Sequence, residues 1–263
     1  MDFQSIRFVL WVALPGLCAL WAFRLWRLGL ATRYPLLTAY LAGEILLDIS
    51  GYLIVRFVGP GSQLYGYFWP ASRLLTSTLF FLVLLEVYRH LVEGYAGLQK
   101  LGQLVLYAAV ALAGAIVLGS TFLDPSADLQ SLWGFWAAEE RSVYLALTAV
   151  SLVLLAFAVF FQLALSRNVV ILFAVFNLMF IGQALLWTLQ NFLATLASSQ
   201  GASYSGIRPL AGACWYSLCF LGGTILFSAA GERRHYSLVR TPESGVSRRV
   251  EELNRTLLNV FRL

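Results

Sequence analysis

The sequence predicts an all-α, polytopic membrane protein with seven transmembrane helices, its N-terminus outside the membrane and its C-terminus in the cytoplasm. Three observations lead to this prediction: seven long apolar segments, a composition unlike that of soluble proteins, and an uneven distribution of basic residues. Of the 263 residues, 60% are hydrophobic and 12% are charged. Soluble domains average about 45–50% apolar and about 25% charged residues, so the composition excludes an ordinary soluble protein.

The seven apolar segments cover most of the chain, and each approaches the roughly 20 residues that a spanning helix needs. In chain order they are placed near 6–26, 36–55, 67–88, 104–123, 143–166, 169–193 and 208–230. The first segment does not fit a cleaved signal peptide, because Asp2 lies at its start and Arg24 and Arg27 follow it. Polar residues interrupt the third and sixth segments. The chain therefore divides into a transmembrane domain, 1–230, and a cytoplasmic tail, 231–263.

The basic residues orient the chain. If the N-terminus is outside, 13 of the 18 Lys and Arg residues fall on the cytoplasmic side and 5 fall outside or in the outer half. Cytoplasmic loops carry such an excess. The net charge of +5 is thus attributed to insertion topology and anionic lipid headgroups. A nucleic-acid partner is not predicted, because the chain has no soluble module with a basic face and stacking aromatics.

The tail changes character after Gly231. Charged residues, Pro242 and Gly245 make 231–247 typical of a linker. Over 248–263 apolar residues recur at helical spacing between Arg and Glu, which predicts an amphipathic helix of about four turns. This helix would lie on the anionic inner leaflet or dock to a cytoplasmic or membrane partner.

A shift of 139 residues suggests an internal repeat, because it lays spans 1–3 over spans 5–7 and leaves span 4 as a linker. Gly43 and Glu44 then fall on Gly182 and Gln183. The same offset superposes Tyr65 on Tyr204, Pro70 on Pro209, Leu79 on Leu218, Phe81 on Phe220 and Leu82 on Leu221. A single linker helix makes the halves parallel. This 3+1+3 layout is that of the SWEET and PQ-loop sugar transporters, although the sequence contains no Pro-Gln pair.

Cofactor and enzyme chemistry find no support in the sequence. His90 and His235 both lie at the cytoplasmic side, so neither a haem axial pair nor a histidine metal site is predicted at membrane depth. The only lysine, Lys100, lies in a loop, which excludes a retinal Schiff base in span 7. A nucleophile elbow, a phosphate-binding glycine loop, a zinc motif and a CxxC pair are all missing. We therefore predict a non-enzymatic protein without a cofactor.

Polar residues inside the spans indicate where a ligand would bind. A charged side chain at a helix centre costs about 2.5–3.5 kcal/mol on insertion scales, so such groups usually face the bundle interior. Glu44 and Asp48 lie one turn apart on one face of span 2, and Arg73 in span 3 reaches about the depth of Asp48. The sequence therefore predicts an Asp48–Arg73 salt bridge. Glu44 is expected to be protonated or hydrogen-bonded to Gln183 or Tyr216, and these five residues form the predicted ligand site.

Each of these polar groups also has a purely structural interpretation. A buried glutamine such as Gln183 can form an interhelical hydrogen bond worth about 0.6–2 kcal/mol, and an ion pair can serve stability alone. Glu86, Arg89 and His90, at the inner end of span 3, are interpreted as a helix-end charge cluster.

Several short motifs are spread along the chain. Tyr67-Phe68-Trp69 begins span 3, Glu86-Val87-Tyr88-Arg89-His90 ends it, Tyr95-Ala96-Gly97-Leu98 follows, and 252–258 lies near the C-terminus. From end to end, the chain with these motifs resembles uncharacterised seven-helix membrane proteins of the acidobacterial type. The resemblance implies a multi-pass protein of the bacterial inner (cytoplasmic) membrane and carries no function to transfer.

Three functions remain open at this point. A sensor or receptor would recognise a small ligand or ion in an outward-weighted polar pocket and signal through a partner. A transporter or channel would use a parallel repeat with polar residues at midplane, and an accessory subunit would use them only to hold helices together. The ionisable groups lie at midplane or further out: Glu44, Asp48, Arg73, Arg141 and Arg208. This asymmetry favours recognition over passage.

Overall fold

The computed structural model describes residues 3–59, 61–93, 96–122, 132–161, 163–198, 207–233 and 235–237, together with Glu252 and Arg255. Its helices are α1 (Phe3–Arg27), α2 (Pro35–Phe57), α3 (Gln63–Leu91), α4 (Ala96–Phe122), α5 (Leu132–Phe160), α6 (Arg167–Ser198), α7 (Ile207–Leu226) and α8 (Ala229–Arg233). The predicted all-α class is confirmed. The amphipathic helix predicted over 248–263 lies outside the described residues, apart from Glu252 and Arg255.

Two short strands were not predicted. β1 (Ala164–Ser166) pairs antiparallel with β2 (His235–Ser237), with Leu165 opposite Tyr236. The fifth predicted span, 143–166, is therefore too long, because α5 ends at Phe160 and β1 occupies the last three positions.

Several helices are long and apolar enough to cross a membrane. Within the described residues there are five such segments, located in α2, α3, α4, α5 and α6, and α7 contributes the shorter apolar helix Ala211–Leu226. These lengths and compositions indicate a multi-pass membrane protein. The crossing of the membrane by all seven long helices stays a prediction.

Six of the long helices form a closed ring. α1 packs against α2 and α7, and the ring continues through α2–α3, α3–α5, α5–α6 and α6–α7. α4 lies outside this ring and packs mainly against α5. The offset of 139 residues maps α1–α2 onto α5–α6, α2–α3 onto α6–α7, and α7–α1 onto α3–α5. The superposition of the two halves stays a prediction.

Gly43 and Gly182, which the offset of 139 residues aligns, each lie close to a side chain of the next helix. A methyl group added at Gly43 would lie 2.7 Å from Cδ1 of Leu79 on α3, and one added at Gly182 would overlap the indole of Trp215 on α7. Each glycine thus lets its helix approach the next helix closely.

We call the basal end the end of the bundle at which α1 and α3 finish and α2 and α6 begin, and the distal end the opposite one. α1 ends there at Arg27 and is followed by Gly29, whose φ of 68° places it in the left-handed region typical of the residue after a helix C-terminus. The amide of Leu30 then donates to the carbonyl of Leu25 at 2.8 Å. The guanidinium of Arg24 donates to the carbonyls of Ile225 and Phe227, and so satisfies acceptors at the end of α7.

The start of α2 is capped by a residue of α3. Pro35 occupies the first turn and has no amide proton, and Tyr34 gives no side-chain cap. The amides of Leu36 and Leu37 instead donate to the carboxylate of Glu86, each at 2.9 Å. Glu86 is only 3% exposed. It therefore supplies the negative charge and the acceptors that a helix N-terminus favours.

Candidate functional site

Polar side chains from five helices meet near the middle of the bundle. Thr76 donates to Glu44 Oε1 at 2.7 Å and joins α3 to α2. The hydroxyls of Tyr144 and Tyr216 lie 2.6 Å apart and join α5 to α7. Gln183 Nε2 donates to the carbonyl of Gly212 at 3.4 Å, between α6 and α7. We call Glu44, Thr76, Tyr144, Gln183 and Tyr216 the polar layer.

The predicted partners of Glu44 were wrong. Its hydrogen-bond partner is Thr76 on the neighbouring antiparallel helix, α3, and not Gln183 or Tyr216. Gln183 bonds to the backbone of α7, and Tyr216 bonds to Tyr144. The structure thus brings Glu44, Gln183 and Tyr216 to one level of the bundle without joining them directly.

The predicted Asp48–Arg73 salt bridge was also wrong. The ion pairs Arg33–Glu93, Arg33–Glu232 and His90–Glu93 lie at the basal end, and Asp48 and Arg73 form none with each other. Asp48 Oδ2 and Arg73 Nε are both buried, and neither has a hydrogen-bond partner among the described residues. The guanidinium of Arg73 lies 5.8 Å from the ring centre of Trp69 instead, a cation–π distance.

The carboxylates of Glu140 and Glu44 and the hydroxyls of Tyr144 and Tyr216 act electrostatically on the guanidinium of Arg73. Asp48 still lies within the field of Arg73.

An aromatic layer lies directly on the basal side of the polar layer. It consists of Trp21, Tyr40, Phe80, Phe176, Phe180 and Phe220, which are each at most 2% exposed. The ring of Phe80 lies 4.8 Å from Tyr40 and 5.1 Å from Phe180. The ring of Phe220 lies 5.7 Å from Trp21 and 6.2 Å from Tyr40. These centroid distances are those of favourable aromatic pairs.

Helical spacing places the two layers next to each other. Tyr40 precedes Glu44 by four residues on α2, Phe80 follows Thr76 by four on α3, and Phe220 follows Tyr216 by four on α7. Residues four apart lie on one helix face, one turn from each other. Because the helices alternate in direction, all three aromatic residues lie on the basal side. The polar layer is therefore bounded on its basal side by buried aromatic rings.

The charge cluster at the end of α3 makes structural contacts. His90 contacts Glu93 at 3.3 Å and the carbonyl of Arg33 at 3.1 Å, and Arg33 forms a salt bridge with Glu93. Partial burial acts to raise the pKa of Glu93, but the hydrogen bonds from Arg33 and His90 outweigh it and lower that pKa. Burial, followed by the nearby carboxylate of Glu232, raises the pKa of Tyr34, whose hydroxyl donates to that carboxylate at 2.9 Å.

A fully buried asparagine fastens α6 to the α7–α8 turn. Asn168 donates to the carbonyl of Ser228 at 2.8 Å and to Glu232 at 3.0 Å, and its oxygen accepts from the amide of Ser228 at 3.2 Å. A methyl group at Gly231 would overlap Asn168 Oδ1. The basal end is thus closely connected through side chains.

Sequence reasoning missed Thr76, Glu140, Tyr144 and Asn168. Glu140 lies outside the predicted fifth span, 143–166, but α5 begins at Leu132 and carries Glu140 and Tyr144 on one face, four residues apart. This spacing of four residues, which places both side chains on one helix face, is the signal in the sequence that could have revealed them. A single threonine in an apolar helix and an asparagine in a short connection give none.

Within the described part of the chain, no group of three or more His, Cys, Asp or Glu side chains is arranged to hold a metal ion. A comparison with family models, with curated proteins and with solved structures finds no match to this chain. The functional argument therefore rests on the geometry of the polar and aromatic layers.

Proposed function

We propose that the chain is a seven-helix sensor or receptor of the bacterial inner membrane, with its N-terminus outside and its C-terminus in the cytoplasm. It recognises a small ligand or ion at the polar layer, together with Asp48 and Arg73, and signals through a partner protein. It performs no catalysis. The basic-residue distribution supports the orientation, since the basal end is then cytoplasmic.

The aromatic layer is the observation that favours recognition over passage. A solute that moved from the polar layer towards the basal end would have to separate rings that are at most 2% exposed and in mutual contact. A charged solute would also lose its polar partners there, which is costly in an apolar environment. A site that is polar on one side and closed on the other suits binding without transport.

A transporter is the second candidate, and the symmetry of the helix ring favours it. Every neighbouring pair in one half has a counterpart in the other under the 139-residue offset, as parallel-repeat transporters require. Transport would then need the aromatic layer to open. As a third alternative, an accessory subunit would use the polar layer only as helix-to-helix hydrogen bonds.

Binding and uptake measured on the same purified full-length chain separate these functions. Thermal stability is measured with and without small charged and polar metabolites, and uptake of the stabilising compound is measured in proteoliposomes. A sensor shows ligand-induced stabilisation without uptake, a transporter shows both, and an accessory subunit shows neither. Stabilisation accompanied by uptake would overturn the sensor proposal.

Two threonines of α3 provide a matched pair of variants. Thr76 is 6% exposed and donates to Glu44, whereas Thr78 is exposed and donates to Leu74 of its own helix. Thr76→Val should weaken ligand-induced stabilisation, and Thr78→Val should leave it unchanged. An equal effect of the two replacements would place the ligand elsewhere.

A further inference from the structure

The carboxylate of Glu232, in α8, joins the starts of α2 and α6 to the beginning of the C-terminal tail. Its Oε2 accepts from the hydroxyl of Tyr34 at 2.9 Å and from Asn168 Nδ2 at 3.0 Å, and its Oε1 lies 3.5 Å from Arg33 Nε. We infer, on the basis of the proposed function, that Glu232 carries the signal from the polar layer to the tail. A movement of α2 relative to α6 changes the bonds to Glu232 and so loosens or tightens the segment formed by α8 and β2.

Burial makes the two hydrogen-bond donors depend on Glu232. Tyr34 and Asn168 are each 0% exposed, whereas the side chain of Glu232 is 21% exposed. A buried hydroxyl or amide that loses its acceptor cannot turn to water instead, and this is costly. The position of α8 is therefore tied to the positions of these two side chains.

The start of α6 contacts the α8–β2 segment at further points. β2 pairs with β1 from Ser166 opposite His235 to Ala164 opposite Ser237, and β1 directly precedes α6. A methyl group added at Gly231 in α8 would overlap Asn168 Oδ1, so α8 lies directly against α6. Because the segment touches α6 and β1 together, a displacement of α6 reaches both α8 and β2.

The same two helices carry equivalent residues of the polar layer. Tyr34 directly precedes α2, which contains Glu44, and Asn168 is the second residue of α6, which contains Gln183. From Tyr34 to Glu44 the chain runs along ten residues, about 15 Å of helix, and helices transmit displacement as rigid elements. A ligand that changes the spacing of Glu44 and Gln183 therefore changes the spacing of the two donors that share Oε2 of Glu232.

The first experiment measures how often the α8–β2 segment opens, by limited trypsin digestion of the purified full-length chain. The peptide bonds after Arg233 and Arg234 connect α8 to β2, and the bonds after Arg248 and Arg249, further along the tail, serve as the internal reference. Mass spectrometry assigns each cut. When a segment closes faster than it is cut, the cleavage rate follows the population of its open form.

Tyr34→Phe removes one donor to Glu232, keeps the ring and leaves the sequence around the cleavage sites unaltered. It should speed the cuts between α8 and β2 by about fivefold or more relative to the reference cuts. Tyr107→Phe is the matched control, since Tyr107 on α4 is 68% exposed, and it should leave the rate unchanged. Arg33→Gln, compared with Glu93→Gln, provides a second pair, because only the first replacement removes the contact with Glu232.

The second experiment tests whether the polar layer acts through Glu232. Thr76→Val removes the hydrogen bond to Glu44 and should change the cleavage rate between α8 and β2 by about threefold or more, whereas Thr78→Val should not. In the Tyr34→Phe background the effect of Thr76→Val should disappear, because coupled sites are not additive. A role of Glu232 in stability alone would leave the two effects additive.

The outcomes separate this inference from the proposed function. If Tyr34→Phe cleaves like Tyr107→Phe, Glu232 does not hold the segment and the inference is overturned. If Thr76→Val has no effect on cleavage, or the same effect in both backgrounds, the signal does not pass through Glu232 and the inference is again overturned. Recognition at the polar layer is decided separately, by ligand-induced stabilisation of the unaltered chain.

Discussion

Replacement of Glu86 by glutamine should destabilise the protein, because Glu86 satisfies the N-terminus of a different helix. The first donors of α2 are all accounted for: the amide of Tyr34 donates to Leu30 at 2.9 Å, Pro35 has no amide proton, and the next two amides donate to Glu86 at 2.9 Å each. Glutamine offers one acceptor oxygen in place of two. Its amide group would face a backbone donor.

The size of the effect follows from these two hydrogen bonds. A hydrogen bond to a charged group contributes about 1.5–3 kcal/mol, and a negative charge at a helix N-terminus adds about 0.3–1 kcal/mol. Glu86→Gln keeps one weaker bond and should cost about 2 kcal/mol, and Glu86→Ala removes both and should cost about 3–4 kcal/mol. The first value corresponds to a Tm lower by roughly 4–8 °C for a chain of this size.

The assay is unfolding of the purified protein in detergent micelles, followed by tryptophan fluorescence. Glu93→Gln is the matched control, because the chemical change is the same and the side chain of Glu93 is half exposed, at 50%. Surface ion pairs contribute about 0–1 kcal/mol, so this control should change the stability little. If Glu86→Gln were as stable as Glu93→Gln, the cap would contribute nothing and the reasoning would be refuted.

Three further outcomes are expected. Gly182→Ala should cost about 1–3 kcal/mol, because the new methyl group displaces Trp215. Gly114→Ala, in open space, should stabilise by up to about 1 kcal/mol, and equal stability of the two variants would contradict the packing argument. The lowered pKa of Glu93 means that its pair with Arg33 stabilises the fold above a pH of about 4.3 and is lost as the pH falls through the lowered value. This loss of stability should be below about 1 kcal/mol and absent in Glu93→Gln. Equal acid sensitivity of the unaltered protein and Glu93→Gln would contradict a stabilising role of the pair. A reporter fused to the C-terminus should report a cytoplasmic location, and a periplasmic signal would reverse the orientation.

The positions of the helices could be predicted because apolar length is a property of the local sequence. Each of the seven segments predicted from hydropathy falls largely within one of the seven long helices. The extra length of α5 at its start could not be read from hydropathy, because polar and acidic residues there resemble a loop. Helix continuation through Glu139 and Glu140 depends on packing, which hydropathy does not record.

The level of the polar site could be predicted, but its hydrogen bonds could not. Membrane cost and helix direction placed Glu44, Asp48 and Arg73 at similar depth. The rotation of each helix about its own axis decides which of them meet, and that rotation depends on the fit of distant side chains such as Leu79 against Gly43. Opposite charges at equal depth therefore suggested a pair that the structure does not form.

The bond from Arg24 to the end of α7 has a consequence for synthesis in the cell. Arg24 and Phe227 are 203 residues apart, and at about 5–20 residues per second the ribosome needs roughly 10–40 s to make the intervening chain. During this time the partner of Arg24 and the rings of Phe220 and Phe227 that flank Trp21 do not yet exist. The first helix must therefore persist as an incomplete assembly, and nonsense mutations late in the reading frame would leave it as a substrate for membrane proteases.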